Sequence, residues 1–245
     1  MEQLFHHAIS FPQTEPIVPN KSFAQFHVGA DANKKSYMTG AHNKIIAAAA
    51  KTELAPLGFR RLGQSRLWLA DHGVWLNIVG FTPSRWSVAV QLDNAAHWIW
   101  GGIGFMSWDY SVRVPCSHAE FENADQFVEA VTGIARKAAS GAAEIEKKFS
   151  SFEAIADFVI GDARGNERLR PSWLGYYAGI ASGLLNNFGE AEQFLRGIAD
   201  ERVVPRAEPF LSVIDKPADF KSAVNDLVVR QRAALKLPAL ENDPF

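Results

Sequence analysis

The chain carries a single cysteine, Cys116, among 245 residues, so no disulfide can form within it. Cysteine this scarce fits a reducing compartment. A strong charge of one sign is also missing. Lys and Arg total 25 against 27 Asp and Glu, a formal charge of −2, which excludes the broad positive field that non-specific nucleic-acid binding relies on. A polyanion would need a local patch, and nucleic acid is not the expected partner. The longest apolar stretches, such as 45–50, fall far short of the ~20 residues that cross a bilayer. The opening MEQLFHHAISFPQTEPIVPN has no basic start followed by an apolar core, so it does not read as a signal peptide, and a soluble, cytoplasmic protein without a membrane partner is expected. No His-x-x-x-His, Cys-x-x-Cys or Glu-x-x-His spacing supplies metal ligands, and adjacent His6 and His7 are too few to do so. No metal or cofactor is expected.

What is present is a globular composition, 47% hydrophobic and 21% charged, enough for one large domain or two small ones. Residues 1–40, with prolines at 12, 16 and 19 and no sustained period, predict an irregular arm with a short element around 22–28. From Ala41 to Leu54, Ile45, Ile46, Ala49, Ala50 and Leu54 recur at helical spacing, and Pro56 and Gly58 supply the stop. The period then changes. Leu67 to Leu69, the turn Asp71-His72-Gly73 and the β-branched run 74–81 predict a hairpin. Residues 86–93 alternate, with Trp86, Val88, Val90 and Leu92 on one face and Ser87, Ala89, Gln91 and Asp93 on the other. A further strand or two is expected within 95–114, around a loop at Gly101 to Gly104.

Beyond Pro115 the pattern turns helical. Phe127, Val131, Ile134, Ala138, Ile145 and Phe149 mark one face of a long helix, with Asn123 and Gln126 placed to cap it. Ser150-Ser-Phe-Glu153 opens the next, ending before Gly161; GDARGNERLRP is a polar loop; a helix over 172–186 and another over 190–199 form a hairpin. The last helix starts near Pro217 with Phe220, Val224, Leu227, Val228 and Leu235 on one stripe. The expected architecture is α+β: an antiparallel sheet of about four strands over 59–114, preceded by one helix and followed by a mostly helical half. The expected divisions are an arm at 1–40, an α+β domain at 41–150 and a helical region at 151–245 packed on it, the latter two open to being one continuous domain.

The order of a helix, then LAPLGFRRLGQSRLWLADHGVWLNIVGF, then SRWSVAVQL resembles the bacterial domain-of-unknown-function family 4304. There, a helix ending in a Leu-Gly-Phe turn feeds basic residues, a hairpin and a Ser-Arg-Trp-like start to the next strand. The resemblance covers roughly 41–114. It implies an α+β fold and brings no catalytic residues with it.

Six of the seven tryptophans, Trp68, Trp75, Trp86, Trp98, Trp100 and Trp108, crowd into one segment. Exposed, they could stack on a base, a sugar or a proline; a core role is favoured because tryptophan is mostly buried. Trp86 is assigned to the core, and Trp68 and Trp98 are the surface candidates. Arg60, Arg61, Arg66 and Arg85 could converge on a phosphate or carboxylate, against a reading as edge-strand charges that discourage aggregation. Candidates for chemistry are His72, His97, His118, Cys116, Asp71, Asp93 and Asp109, but Cys116 and His118 lack an identifiable third group. Gly101-Gly102-Ile103-Gly104 lacks the Lys-Ser/Thr of a phosphate loop and has Ser107 where a dinucleotide fingerprint places its last glycine, so a turn is expected. Gly175, Gly179 and Gly183 form a small-residue stripe suited to close helix packing.

These features predict a non-catalytic binding or interaction module, of an accessory or immunity type, with Arg60, Arg61, Arg66, Trp68, Arg85, Gln91, Asp93, His97 and Trp98 as its contact residues. Its ligand would be a protein partner or a small anion. The alternatives are an enzyme acting on an anionic small molecule through Arg66, Arg85, Asp93 and His97, and a single-stranded nucleic-acid binder using sheet aromatics. A common deep pocket around those four side chains would favour the enzyme; a flat sheet face would favour the binder.

Overall fold

The computed structural model describes residues 41–83 and 89–245, which excludes the arm, Arg85 and Trp86. The first helix, α1 (Ala41–Leu54), has the expected bounds. It runs into a 3-10 turn (Ala55–Leu57) capped by Gly58 at φ 81°, a left-handed conformation that glycine adopts without a Cβ penalty. Five antiparallel strands follow in simple order: β1 (Arg60–Arg61), β2 (Leu67–Asp71), β3 (Trp75–Pro83), β4 (Ala89–Trp98) and β5 (Tyr110–Glu120). The helical half comprises α2 (Ala124–Lys148), α3 (Phe152–Gly165), α4 (Gly175–Leu184), α5 (Phe188–Arg196), α6 (Val204–Leu211) and α7 (Pro217–Ala234). The architecture is α+β, as the pattern predicts. Among the described residues no helix is long and apolar enough to cross a membrane.

Several boundaries differ for physical reasons. Strand β5 runs through Pro115 to Glu120, where a helical pattern was expected. Proline, which has no N–H to donate, is tolerated there because β5 is an edge strand, and the β4–β5 register shifts beside it, between Gln91 and Asp93. Helix α3 crosses Gly161 because Ile155, Ala156, Val159, Ile160 and Ala163 continue one buried face over it, and that packing outweighs glycine's cost of ~1 kcal/mol. Its cap is Ser151, whose side chain accepts from the Ala154 amide. The expected helix from Ser172 begins only at Gly175, since Pro171 and Ser172 are non-helical within a wide turn at Arg170–Leu174. Asn123 caps α2 by accepting from the Gln126 amide, as its position predicts.

Register places Trp68, Ala70, Trp75, Asn77, Val79, Phe81, Val90, Leu92, Asn94, Ala96 and Trp98 on one sheet face. Helices α1 and α2 pack on this face around Ile46, Leu54, Phe127, Val131 and Ala138. Two buried amides fasten it: Asn77 donates to the Ala142 carbonyl at 2.8 Å and Asn94 to the Ala138 carbonyl at 3.1 Å. The opposite face carries Leu69, Leu76, Ile78, Ala95 and His97 at one end and Thr82, Gln91 and Asp93 at the other. Only the first end joins the large core formed with Tyr176, Tyr177, Phe210, Phe220 and Val224 of the helical half. The glycine stripe of α4 makes this core close. A Cβ at Gly179 would lie 2.6 Å from Leu195 of α5, and one at Gly183 would lie 2.4 Å from the Phe220 ring of α7. At the far end of α7, buried Arg232 grips the β2–β3 turn, donating to both Asp71 oxygens at 2.8 and 2.7 Å and to the Gly73 carbonyl at 2.7 Å.

Candidate functional site

The expected contact residues do not meet at one place. Arg60 is exposed on the two-residue edge strand. Arg61 folds back on its own turn, donating from Nε to the Ser65 carbonyl at 2.7 Å and from Nη2 to the Gln64 carbonyl at 3.0 Å. Arg66 reaches α1, where its Nε donates to Asn43 Oδ1 at 2.9 Å and its Nη2 donates to the same oxygen. Burial, followed by the neighbouring Arg61 charge, lowers its pKa. Arg85 lies outside the described residues. Trp68 and Trp98, expected at the surface, are only 4% and 1% exposed. Trp68 joins the core under α1 and α2, whereas Trp98 joins the core shared with the helical half, stacking on Trp100 and meeting Phe149 edge-on at 5.0 Å. Trp75 and Trp100 are buried too, and half-buried Trp108 lies over Gly80. These tryptophans form core and leave none of their number as a stacking platform among the described residues.

His97 is fully buried and belongs to a polar cluster that closes the loop between β4 and β5. Its Nδ1 lies 2.9 Å from Asp109 Oδ2. The Asp109 carboxylate also accepts from the Trp98 amide at 2.7 Å, from the Ser107 hydroxyl at 2.7 Å and from the Tyr177 hydroxyl at 3.0 Å. Four donors occupy a carboxylate that can take about that number. The tautomer that fits carries hydrogen on Nδ1, because Asp109 can only accept. Burial holds the Tyr177 hydroxyl well above its ordinary pKa, with the Asp109 charge adding to the effect, so it stays a donor.

Ser, His and Asp share this cluster without forming a nucleophile–base pair. The Ser107 hydroxyl is spent on Asp109 and approaches the same His97 nitrogen that the carboxylate holds, while His97 Nε2 is buried without a partner. A catalytic arrangement needs the hydroxyl on one imidazole nitrogen and the carboxylate on the other. The cluster instead ties Tyr177 of α4 to the sheet. The glycine loop beside it is held as a turn: Gly104 donates to Gln231 Oε1 at 2.7 Å, and Arg206 donates to the Gly102 carbonyl at 2.6 Å.

Asp93 and Gln91 are half-exposed at the other end of the same face. Asn77 points to the opposite face, and Arg66 is bonded to Asn43. In register with Asp93 is Arg113, in register with Gln91 is His118, and Ala89 pairs with Glu120. The Thr82 hydroxyl donates to Asp93 Oδ2 at 3.3 Å. Partial burial raises the Asp93 pKa, opposed by Arg113 and by the Thr82 bond. Ser111, Arg113, His118 and Glu120 are exposed, and His118 Nε2 stands 3.6 Å from Glu120 Oε1. The result is a strip of mixed charge along β4 and β5. Alternation in 86–93 marked Gln91 and Asp93, and His118 was marked as a candidate for chemistry; Arg113 lay in the expected strand region without being singled out, and Glu120 was hidden by reading the stretch past Pro115 as helical.

Among the described residues no group of three His, Cys, Asp or Glu could hold a metal ion. No family model, curated protein or solved structure matches the chain.

Proposed function

We propose that the chain is a non-catalytic binding module whose recognition surface is the polar strip of Thr82, Gln91, Asp93, Arg113, His118 and Glu120. The observation that supports this reading is the split of one sheet face into a sealed end, where the Asp109 carboxylate takes four donors, and an open end whose charged side chains have few partners among the described residues. Arg66 and His97 lie apart from Asp93, buried or bonded elsewhere, so the side chains an enzyme would need are not assembled around one cavity.

The partner is a protein surface of mixed charge that reads these side chains. Strand addition along β5 is disfavoured because Pro115 offers no N–H and the register shift breaks the strand beside it. The resemblance of residues 41–114 to family 4304 belongs to the same proposal and adds no activity to it. A photo-reactive amino acid placed at Arg113 or His118, in cells of the organism of origin, is expected to capture one discrete partner, while the same residue at Glu192 on α5 captures none. Equal labelling at all three positions would defeat the proposal.

A further inference from the structure

A cleft of about 220 Å³ opens between α6 and α7, away from the polar strip. Tyr176 forms its floor, Arg206 and Pro209 come from α6, and Leu227 and Arg230 come from α7. Tyr176 is 1% exposed as a residue and lines the cleft. Burial pushes its pKa above the ordinary value while Arg206 and Arg230 pull the other way, which keeps it a hydroxyl donor beside two cations.

Arg206 is held in place from two sides. Its Nη1 donates to the Gly102 carbonyl at 2.6 Å, and its guanidinium lies 5.4 Å over the Trp173 ring. Arg230 is exposed and makes no ion pair or hydrogen bond among the described residues. Asp226 also lines the cleft, so two guanidinium charges less one carboxylate leave a single positive charge. Phe210 and Leu227 supply an apolar wall. One anchored arginine, a second exposed arginine on the same cleft and a hydroxyl that lines it favour an oxyanion, the net charge favours a monoanion, and the wall favours a hydrocarbon part. The volume is below the ~300 Å³ at which pockets take drug-sized ligands.

We propose that this cleft binds a small organic monocarboxylate, its carboxylate between Arg206 and Arg230 with the Tyr176 hydroxyl donating to it, and its hydrocarbon part against Phe210 and Leu227. The site is independent of the polar strip on the sheet.

Titration calorimetry of the full chain with benzoate, hexanoate and inorganic phosphate tests it. Benzoate or hexanoate should bind saturably, and phosphate more weakly. Arg230→Gln, on an exposed position, should weaken carboxylate binding by about tenfold or more, and Tyr176→Phe by a few-fold, as the loss of hydrogen bonds to a charged group predicts. Arg113→Glu should leave carboxylate binding unchanged, so failure here and failure of the strip as a partner surface are told apart. No saturable binding of either carboxylate, phosphate binding as tightly, or unchanged affinity in Arg230→Gln would overturn the assignment.

Discussion

His97 and Asp93 stand four residues apart on one strand and point to the same side of the sheet, yet their surroundings are opposite. His97 is sealed beneath α4, in a cluster where one carboxylate takes four donors. Asp93 is half-exposed, with Thr82 as its hydrogen-bond partner and Arg113 across the strand. A polar residue on a strand is therefore informative only together with what covers it. Under the helical half it locks the fold; beyond the reach of those helices it is free to meet something else.

The sealed end should respond to mutation most strongly. Asp109→Ala leaves His97, the Trp98 amide, Ser107 and Tyr177 without their acceptor and should cost about 3 kcal/mol or more, since each buried donor left unsatisfied costs about 1–3 kcal/mol. Urea denaturation measures it; a loss below 1 kcal/mol would mean that the cluster does not hold the loop. Tyr177→Phe removes one hydrogen bond to the same carboxylate and should cost about 1.5–3 kcal/mol in the same assay.

The open end should behave differently. The Asp93 pKa is raised in the folded state, so the native chain holds that proton to higher pH than the unfolded chain. Stability from this group therefore falls as pH rises through the carboxylate range. Asp93→Asn should raise the melting temperature slightly at neutral pH and leave it unchanged at pH values below that range. A fall at neutral pH would show that the carboxylate is a structural partner like Asp109. Smallest of all, Arg113→Ala should change stability by no more than about 0.5 kcal/mol, as for surface positions generally.

Much of this fold was legible from periodicity. Helix α1, the hairpin around Gly73 and the long face of α2 follow from spacing and turn chemistry alone. The glycine stripe of α4 pointed to close helix packing, although the two partners, Leu195 and Phe220, come from different helices. Strand β5 was legible only to Pro115, because proline and the following polar residues resemble a strand end when the edge position is unknown. The site was less legible. Trp68 lies between Leu67 and Leu69 and Trp98 beside His97, and such sequence neighbours say little when each ring joins a core built by distant helices. The cleft of Tyr176, Arg206 and Arg230 draws on three helices, one of them the unforeseen α6, and no local pattern joins residues so far apart. His97 was marked as a candidate for chemistry, and Asp109 with it, but only tertiary packing reveals that they face each other.

The most direct measurement compares capture of the cross-linked partner by the wild-type chain and by Arg113→Glu, with melting temperatures recorded on the same preparations. If the open strip is the recognition surface, capture should fall by about tenfold or more, the loss expected when a charge pairing is reversed at an interface, while the melting temperature stays the same. Undiminished capture by a folded Arg113→Glu chain would contradict it.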